Sequence, residues 1–289
     1  MPARRVIVSG ADAGYFRYLK RAVESVRARD PGSGTAIVLF DLGLEPAQRA
    51  ALAHLADAIV EPGWDFNLPD TDSLPSHWRA YTARPHLPNH VPGYDLYMWL
   101  DADAWVQQWD AVEQFFAGAA GRAVAIVPEL HPAYRNQHHA RAEFEGVIRA
   151  AFDSAFGVDV AQRLYRKPHL NTGAFALTAD APHWQAWSDA LGSALIGHAL
   201  RARVRERPPS GAGVRERPPS RERLAEQCAM NVVVYDEGLP AIFLEPRCNW
   251  ICHHAAPRLD PETGLLTEPT PPFAPLGIVH ETMWSKCVS

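Results

Sequence analysis

Short apolar runs alternate with segments of helical periodicity along most of this chain. Such runs are typical of buried strands, and they predict strands at 5–8, 36–40, 96–100, 123–127 and 174–177. Between them, apolar residues recur at three- and four-residue spacing, as in an amphipathic helix. Strands that alternate with helices predict an α/β fold with right-handed crossovers and a mostly parallel sheet.

The helical segments have recognisable starts. Four apolar residues at helical spacing lead from Tyr15 to Val26, and Pro46 opens the next helix because proline is favoured at a first helical position. Three further helical patterns follow, at 140–156, 181–199 and 222–233. From Pro246 to Pro275 the chain is rich in proline and polar residues, which predicts a long ordered loop over the sheet rather than a second domain.

A seven-residue segment, Val-Arg-Glu-Arg-Pro-Pro-Ser, occurs twice, at 204–210 and again at 214–220. Paired prolines forbid a continuous helix, and two short copies are too few for a solenoid. We therefore predict a flexible insertion over 201–223, within a single domain that spans 1–289. Eight arginines against three glutamates give this insertion a charge of +5. The insertion is compatible with three roles: a spacer, a mobile lid, or a binding site for an anionic acceptor or lipid surface.

Composition narrows the classes of function. The chain has 289 residues, 47% of them hydrophobic, and a formal net charge of −5. It is long enough to bury a full core, and its acidity argues against a nucleic-acid binder, which needs a basic face. No apolar run approaches the roughly 18 residues that cross a bilayer, and no signal peptide is recognisable. We expect a cytoplasmic protein without a transmembrane segment, with the arginine-rich insertion as its one feature suited to a membrane periphery.

The four cysteines all lie in the last quarter of the chain. Reduced thiols are the default where no secretory signal is present. Cys248 and Cys252, followed by His253 and His254, suggest a zinc site, but structural zinc sites pair cysteines at closer, repeated spacing. Buried thiols are the reading that we prefer.

Two aspartates follow the most aromatic of the apolar runs. Asp101 and Asp103 come directly after 96–100 and precede another apolar segment, 104–106. Alternate residues can point to the same side, and ligands of an open parallel sheet bind beyond the carboxyl ends of its strands. Two oxygen ligands there would hold Mg²⁺ or Mn²⁺ against a diphosphate. An isolated Asp-x-Asp is also common in turns and helix caps.

Six motifs, in this order, resemble the retaining glycosyltransferases of family 8, the galactosyl- and glucosyltransferase and glycogenin-like group, over about residues 5–286. They are Ala11-Asp12-Ala13-Gly14-Tyr15, Tyr81-Thr82-Ala83-Arg84, Asp101-Ala102-Asp103, Asn171-Thr172-Gly173, Glu226-Gln227-Cys228-Ala229-Met230-Asn231, and His280 with Lys286. The chain departs from the family pattern at Gly14, where the family has asparagine, at Glu226, where it has aspartate, and at Met283, where it has glycine.

The resemblance implies a GT-A-like fold, with a Rossmann-like sheet flanked by helices and a long C-terminal loop region. It also implies transfer of a hexose from a nucleotide diphosphate sugar, UDP-hexose, with retention of anomeric configuration. The acceptor would be a saccharide, a lipid-linked molecule or a protein. A metal ion, Mn²⁺ or Mg²⁺, would be held by Asp101, Asp103 and His280, and the nitrogen ligand favours Mn²⁺.

The same resemblance assigns the remaining site residues. Donor contacts would come from Ala11, Asp12, Tyr15, Arg84, Asp101, Ala102, Asn171, Gly173 and Lys286. Glu226 and Gln227 would lie at the reacting anomeric carbon as catalytic residues. Simpler explanations exist for several of them: a helix N-cap for Asp12, a surface salt bridge for Arg84, a turn before a strand for Asn171 and Gly173, a surface carboxylate paired with Arg221 or Arg223 for Glu226, and an ordinary solvated tail residue for Lys286.

Two other functions compete with hexosyl transfer. A sugar-phosphate nucleotidyltransferase shares the sheet and a metal carboxylate, but that class typically has a basic, glycine-rich loop after its first strand. Here Gly10-Ala11-Asp12-Ala13-Gly14 carries no basic residue. A non-catalytic nucleotide-sugar-binding protein would keep the metal pair without turnover.

Overall fold

The computed structural model describes residues 3–68, 71, 74–205 and 224–282, without the side chains of 196–205. Lys286, Met283 and most of the 201–223 insertion lie outside the described residues. The extent of the domain and the roles of the insertion and of Lys286 therefore stay predictions.

Strands and helices alternate along the first two thirds of the chain. The strands are β1 (Arg5–Ala11), β2 (Ala36–Asp41), β3 (Ala58–Val60), β4 (Leu96–Leu100), β5 (Ala104–Val106), β6 (Val124–Pro128), β7 (Leu170–Thr178), β8 (Ala241–Phe243), β9 (Trp250–Ile251), β10 (Arg258–Leu259), β11 (Leu266–Thr267) and β12 (Ile278–His280). The helices are α1 (Phe16–Arg29), α2 (Pro46–Leu52), α3 (Trp78–Ala83), α4 (Leu87–His90), α5 (Trp109–Ala119), α6 (Arg141–Phe156), α7 (Val158–Leu164), α8 (His183–Arg205) and α9 (Ala225–Tyr235).

The main sheet has seven strands in the order β3-β2-β1-β4-β7-β6-β8. Only β7 runs antiparallel, between β4 and β6, and the other four pairings in this sheet are parallel. The predicted mostly parallel sheet flanked by helices is confirmed. The reversed direction of β7 was not predicted, because the pattern of an apolar strand does not encode its direction.

Apolar side chains cover both faces of this sheet. In β4, Tyr97 and Trp99 pack into one hydrophobic cluster, whereas Leu96, Met98 and Leu100 pack into the other. Side chains alternate across a strand, so a fully apolar run is what two covered faces require. The strand ends where two carboxylates replace the apolar residues, which places them at the edge of the core.

A second, three-stranded sheet lies beside the first, in the order β5-β12-β9. Strand β12 pairs antiparallel with β5, so that His280 lies opposite Ala104, and parallel with β9, so that His280 also lies opposite Ile251. The predicted loop 246–275 contains a 3-10 turn at Pro246–Asn249 and the short strands β9, β10 and β11. This small sheet brings the C-terminal part of the chain to the end of β4.

Among the described residues, no helix combines the length and the apolar character that crossing a membrane requires.

Candidate active site

The end of β4 and the end of β12 bring three possible metal ligands together. His280 Nε2 lies 3.2 Å from Asp103 Oδ1 and 3.7 Å from Asp101 Oδ2. One ligand atom from each residue falls within 4.8 Å of the other two, and no other such group occurs in the described part of the chain. Two carboxylate oxygens and one imidazole nitrogen suit Mn²⁺. The three residues therefore fit a divalent cation.

Gly173 leaves the space that this group needs. A Cβ atom at this position would lie 2.3 Å from His280 Cε1 and 2.9 Å from Asp101 Oδ2. The register of β7 on β6 shifts at this point, because Ile126 pairs with Phe175 whereas Val127 pairs with Asn171, so that 172–174 form a bulge in β7. The Gly173 carbonyl accepts a 2.7 Å hydrogen bond from the Asp101 amide.

We expect Gly173→Ala to weaken Mn²⁺ binding by more than about tenfold. The added methyl group would displace His280 and Asp101, and this should cost more affinity than the loss of a hydrogen bond to a metal ligand. The added methyl group should also lower the free energy of unfolding by about 1–3 kcal/mol through overpacking. Calorimetric Mn²⁺ titration and urea unfolding measure the two effects. Gly146→Ala is the matched control, since a Cβ on that glycine of α6 meets nothing within 4 Å. Equal Mn²⁺ affinity in Gly173→Ala and wild type would contradict this description of the site.

Arg84 lies beside Asp101, one of the three possible metal ligands, and joins two carboxylates. Its guanidinium donates to Asp101 Oδ1 and, over 2.8 Å, to Glu226 Oε2, and it packs on the ring of Trp99. Trp99 Nε1 donates to the same Asp101 oxygen over 2.7 Å. Burial lowers the pKa of Arg84, but the charges of Asp101 and Glu226 outweigh burial and raise it above its usual value. Arg84 is only 5% exposed, which excludes the surface salt bridge.

Glu226 is equally buried, at the start of α9. It is 2% exposed and pairs with Arg84, so the alternative of a surface carboxylate beside Arg221 or Arg223 is wrong. Its Oε2 also accepts a 3.0 Å hydrogen bond from Thr172 Oγ1, whereas Oε1 has no hydrogen-bond partner among the described atoms. Burial raises its pKa to about 7, although Arg84 and Thr172 act in the opposite direction.

This raised pKa makes stability depend on pH with a definite sign. The folded protein keeps the Glu226 proton up to about pH 7, whereas the unfolded chain releases it near 4.5. The free energy of unfolding should therefore fall as pH rises through this window, by up to about 3 kcal/mol at 1.36 kcal/mol per pKa unit. Urea unfolding of wild type and Glu226→Gln across this range isolates the contribution of the carboxyl. A difference between the two proteins that does not change with pH would contradict the prediction.

Gln227 points toward a third buried carboxylate, Glu129, which lies directly after β6. Glu129 Oε1 accepts from Gln227 Nε2 over 3.3 Å and from Asn171 Nδ2 over 2.7 Å, while Oε2 lies 3.1 Å from His254 Nε2. Thr172 Oγ1 lies 3.4 Å from Gln227 Oε1. These contacts fix the Gln227 amide beside Glu226. Sequence reasoning missed Glu129, although a charged residue at the carboxyl end of a central strand is the same signal that identified Asp101.

Several of the predicted donor residues line a cleft of about 330 Å³ between β1 and α3. Its walls include six of the predicted donor residues, Ala11, Asp12, Tyr15, Arg84, Asp101 and Ala102, and also Asp103. Asn171, Gly173, Glu226 and Gln227 are not part of these walls. Asn171, Gly173 and Glu226 are buried and Gln227 is half-buried. Both ends of the Asn171 amide are bonded to protein atoms.

One wall of the cleft consists of His77, Tyr81 and Arg84, of which only Arg84 was predicted to contact the donor. The three residues have the spacing of one helix face, so this spacing could have identified His77 from the sequence. Asp12 Oδ1 accepts a hydrogen bond from the Tyr15 amide, so the N-cap role of Asp12 is confirmed. Its other oxygen lies 3.3 Å from His77 Nδ1. Asp12 is thus both a helix cap and part of the cleft.

The cysteines near the site are buried thiols. Burial raises the pKa of Cys248 and of Cys252 to about 12, and neither is part of a metal-ligand group within the described residues. The preference for buried thiols over zinc is supported at these positions.

Sheet order and the position of the carboxylates define the chain as a protein of GT-A-like glycosyltransferase fold. The galactosyltransferase LgtC, in complex with donor and acceptor sugar analogs, is similar with a TM-score of 0.54 and 14% identity, over 96% of this chain and 87% of its own. An active-site mutant of LgtC is similar with a TM-score of 0.52 and 14% identity, over 95% of this chain and 86% of its own. The apo bifunctional glycosyltransferase WbbM gives 0.51 at 13% identity, over 86% of this chain and 40% of its own. At these identities the similarity establishes the fold.

No protein-family model matches the chain. The search of curated proteins finds no match either.

Proposed function

We propose that this protein is a metal-dependent, retaining glycosyltransferase of family 8 that transfers a hexose from UDP-hexose to a saccharide, lipid-linked or protein acceptor. The observation that carries the proposal is the group Asp101, Asp103 and His280. Its two aspartates line the cleft with Asp12 and Tyr15, and Arg84 joins Asp101 to Glu226, the neighbour of Gln227. A metal held there would contact a diphosphate whose nucleoside occupies the cleft and whose sugar reaches the carboxylates.

The charges fit such a donor. When bound, the cation supplies positive charge against the departing diphosphate. Arg84 adds a fixed positive charge beside Asp101, with a planar fork that suits anionic oxygens. Lys286 is proposed to neutralise the same phosphates on the basis of its position in the motif. LgtC, whose fold is similar, was crystallised with donor and acceptor sugar analogs, which supports a sugar donor and a saccharide acceptor for this chain by analogy.

Glu226 and Gln227 are proposed to act at the anomeric carbon. Retention requires either a nucleophile or departure and attack on the same face of an oxocarbenium-like state. The Gln227 amide nitrogen is held by Glu129, so Oε1 is the Gln227 atom that we assign to the sugar side. Glu226 keeps an unpartnered Oε1 next to it. We propose that these two oxygens stabilise the developing positive charge of the sugar, while Arg84 balances the charge of Glu226.

The two competing functions are less well supported. The loop after β1 presents Ala11 and Asp12 to the cleft and no basic residue, which disfavours a sugar-phosphate nucleotidyltransferase. A non-catalytic nucleotide-sugar-binding protein would not need the buried Arg84–Glu226 ion pair. We further propose a cytoplasmic location and one domain over the whole chain.

Release of UDP from a panel of UDP-hexoses, with and without Mn²⁺, tests the proposal. We expect Mn²⁺-dependent release with at least one donor and none in Asp103→Ala. The control is Asp110→Ala, which changes an aspartate half exposed on α5 and paired with Arg247, away from the cleft. A thermal shift with UDP but no release from any donor would favour the binding protein. Formation of a UDP-sugar from UTP and a sugar phosphate would favour the nucleotidyltransferase.

A further inference from the structure

A chain of buried hydrogen bonds leads from Glu129 to the metal group. Asn171 Nδ2 donates to Glu129 Oε1 over 2.7 Å, and Asn249 Nδ2 donates to Asn171 Oδ1 over 2.9 Å. Asn249 Oδ1 lies 3.0 Å from His280 Nδ1. All four residues are at most 7% exposed, and Asn249 is fully buried. This series of hydrogen bonds therefore runs from the end of β6 to His280 on β12 through direct contacts between side chains.

The direction of these hydrogen bonds is fixed from one end. A carboxylate only accepts hydrogen bonds, so the Asn171 atom that faces Glu129 must be the amide nitrogen. The oxygen of Asn171 then faces Asn249, and the nitrogen of Asn249 must donate to it. The oxygen of Asn249 is left for His280, whose Nδ1 must carry the proton. A neutral imidazole carries one proton, so Nε2 keeps its lone pair.

A second donor reinforces this direction. The Gly173 amide donates to Asn171 Oδ1 over 2.9 Å, so a flipped Asn171 side chain would place its NH₂ group against a backbone N–H. Glu129 itself is held in the ionised form: burial raises its pKa, but the hydrogen bond and charge of His254, with smaller contributions from His169 and Asn171, lower it well below its usual value.

We propose that Asn249 and Glu129 are positioning residues that hold His280 in the Nδ1–H tautomer and thereby present Nε2 to the metal. Nε2 is the atom that faces Asp101 and Asp103. Ligand histidines commonly donate their other N–H to such a partner, which fixes ring orientation and tautomer. Here the partner is the side-chain amide of Asn249, and the Glu129 carboxylate sets its orientation through the side chain of Asn171. Neither Asn249 nor Glu129 belongs to the motifs that identified the site.

The proposal rests on metal binding by His280, which is part of the proposed function, but the tautomer can be measured without metal. Nitrogen-15 NMR of the imidazoles in the metal-free wild type, well above the ordinary pKa of histidine, distinguishes Nδ1–H from Nε2–H. We expect His280 in the Nδ1–H form. The Nε2–H form would overturn the proposal, whatever the metal affinity.

Two substitutions of Asn249 separate positioning from packing. Asn249→Leu has similar volume without an acceptor, and should weaken Mn²⁺ binding by about 10–100-fold and release the tautomer preference. Asn249→Asp keeps an acceptor for His280 Nδ1–H but sets a second acceptor against Asn171 Oδ1, so it should restore the tautomer and part of the Mn²⁺ affinity. Glu129→Gln removes the fixed end of the chain and should give a mixture of tautomers.

Gln107→Leu is the control for loss of a buried amide, because within the described residues the Gln107 side chain bonds to the backbone of Leu266 and Leu276 alone. It should leave the Mn²⁺ affinity and the His280 tautomer unchanged. Circular dichroism checks folding, and the wild-type tautomer decides the question even where a variant does not fold. Equal Mn²⁺ affinity in Asn249→Leu and wild type would overturn the proposal, whereas absence of Mn²⁺ binding in wild type with the Nδ1–H tautomer intact would overturn the proposed function.

Discussion

Asp103→Ala is expected to abolish Mn²⁺-dependent binding of UDP with little effect on the fold. Asp103 is one of the three residues that could hold the ion, and its loss should weaken Mn²⁺ binding by more than the ~10–100-fold that an outer-shell partner contributes. Its backbone carbonyl, which accepts from the Glu281 amide, is retained in the alanine variant. Calorimetric titration of UDP with and without Mn²⁺ measures the effect.

The control for this variant is again Asp110→Ala, which removes an equal charge away from the cleft. It should bind UDP with Mn²⁺ as tightly as wild type. If Asp103→Ala and Asp110→Ala bind UDP with the same Mn²⁺ dependence, the assignment of the metal group is wrong.

Arg84→Leu should be the most destabilising substitution in the site. It leaves Glu226 buried without a counter-charge and removes one partner of Asp101, and breaking a buried ion pair of this kind typically costs about 3–5 kcal/mol. Urea unfolding near pH 8, above the pKa of about 7 that Glu226 has in the wild type, gives the change in the free energy of unfolding.

The double variant Arg84→Leu with Glu226→Gln tests the cause of this loss. It removes the unpaired charge, so it should be more stable than Arg84→Leu alone by about 1–3 kcal/mol. Arg27→Leu, which breaks the exposed pair with Asp57, should cost less than about 1 kcal/mol. A double variant no more stable than the single one would show that packing, and not the charge of Glu226, dominates.

The sequence pattern predicted the layers of the fold because apolar periodicity reports burial directly. Strand β4 and helix α1 begin and end close to the predicted positions, and Pro46 is the first residue of α2, with a capping box formed by Glu45 and Gln48. Strand β7 was predicted too short. Asn171, Thr172 and Gly173 look like a turn, but they belong to the beginning of this strand, where Asn171 pairs with Val127 of β6 and the register then shifts.

The site was predicted as far as its motifs extend. Asp101 and Asp103 were found because two charges end an apolar strand, and His280 was found from the resemblance alone. Its place beside them depends on the pairing of β12 with β5, across more than 170 residues, which no local pattern encodes. Asn249 was missed for the same reason, because its importance lies in a hydrogen bond with a distant segment. Glu129 had a local signal, a charge directly after strand β6, which was overlooked.

The central claim is that UDP-hexose is cleaved with retention in a reaction that depends on the metal group. Proton NMR of the anomeric signal, recorded as each UDP-α-hexose is incubated with the protein and Mn²⁺, tests it most directly. We expect that at least one donor is consumed, that the α-anomer of the product appears before mutarotation, and that chelation of Mn²⁺ stops the reaction. Initial appearance of the β-anomer, or no consumption of any UDP-hexose by protein that binds UDP and Mn²⁺, would contradict it.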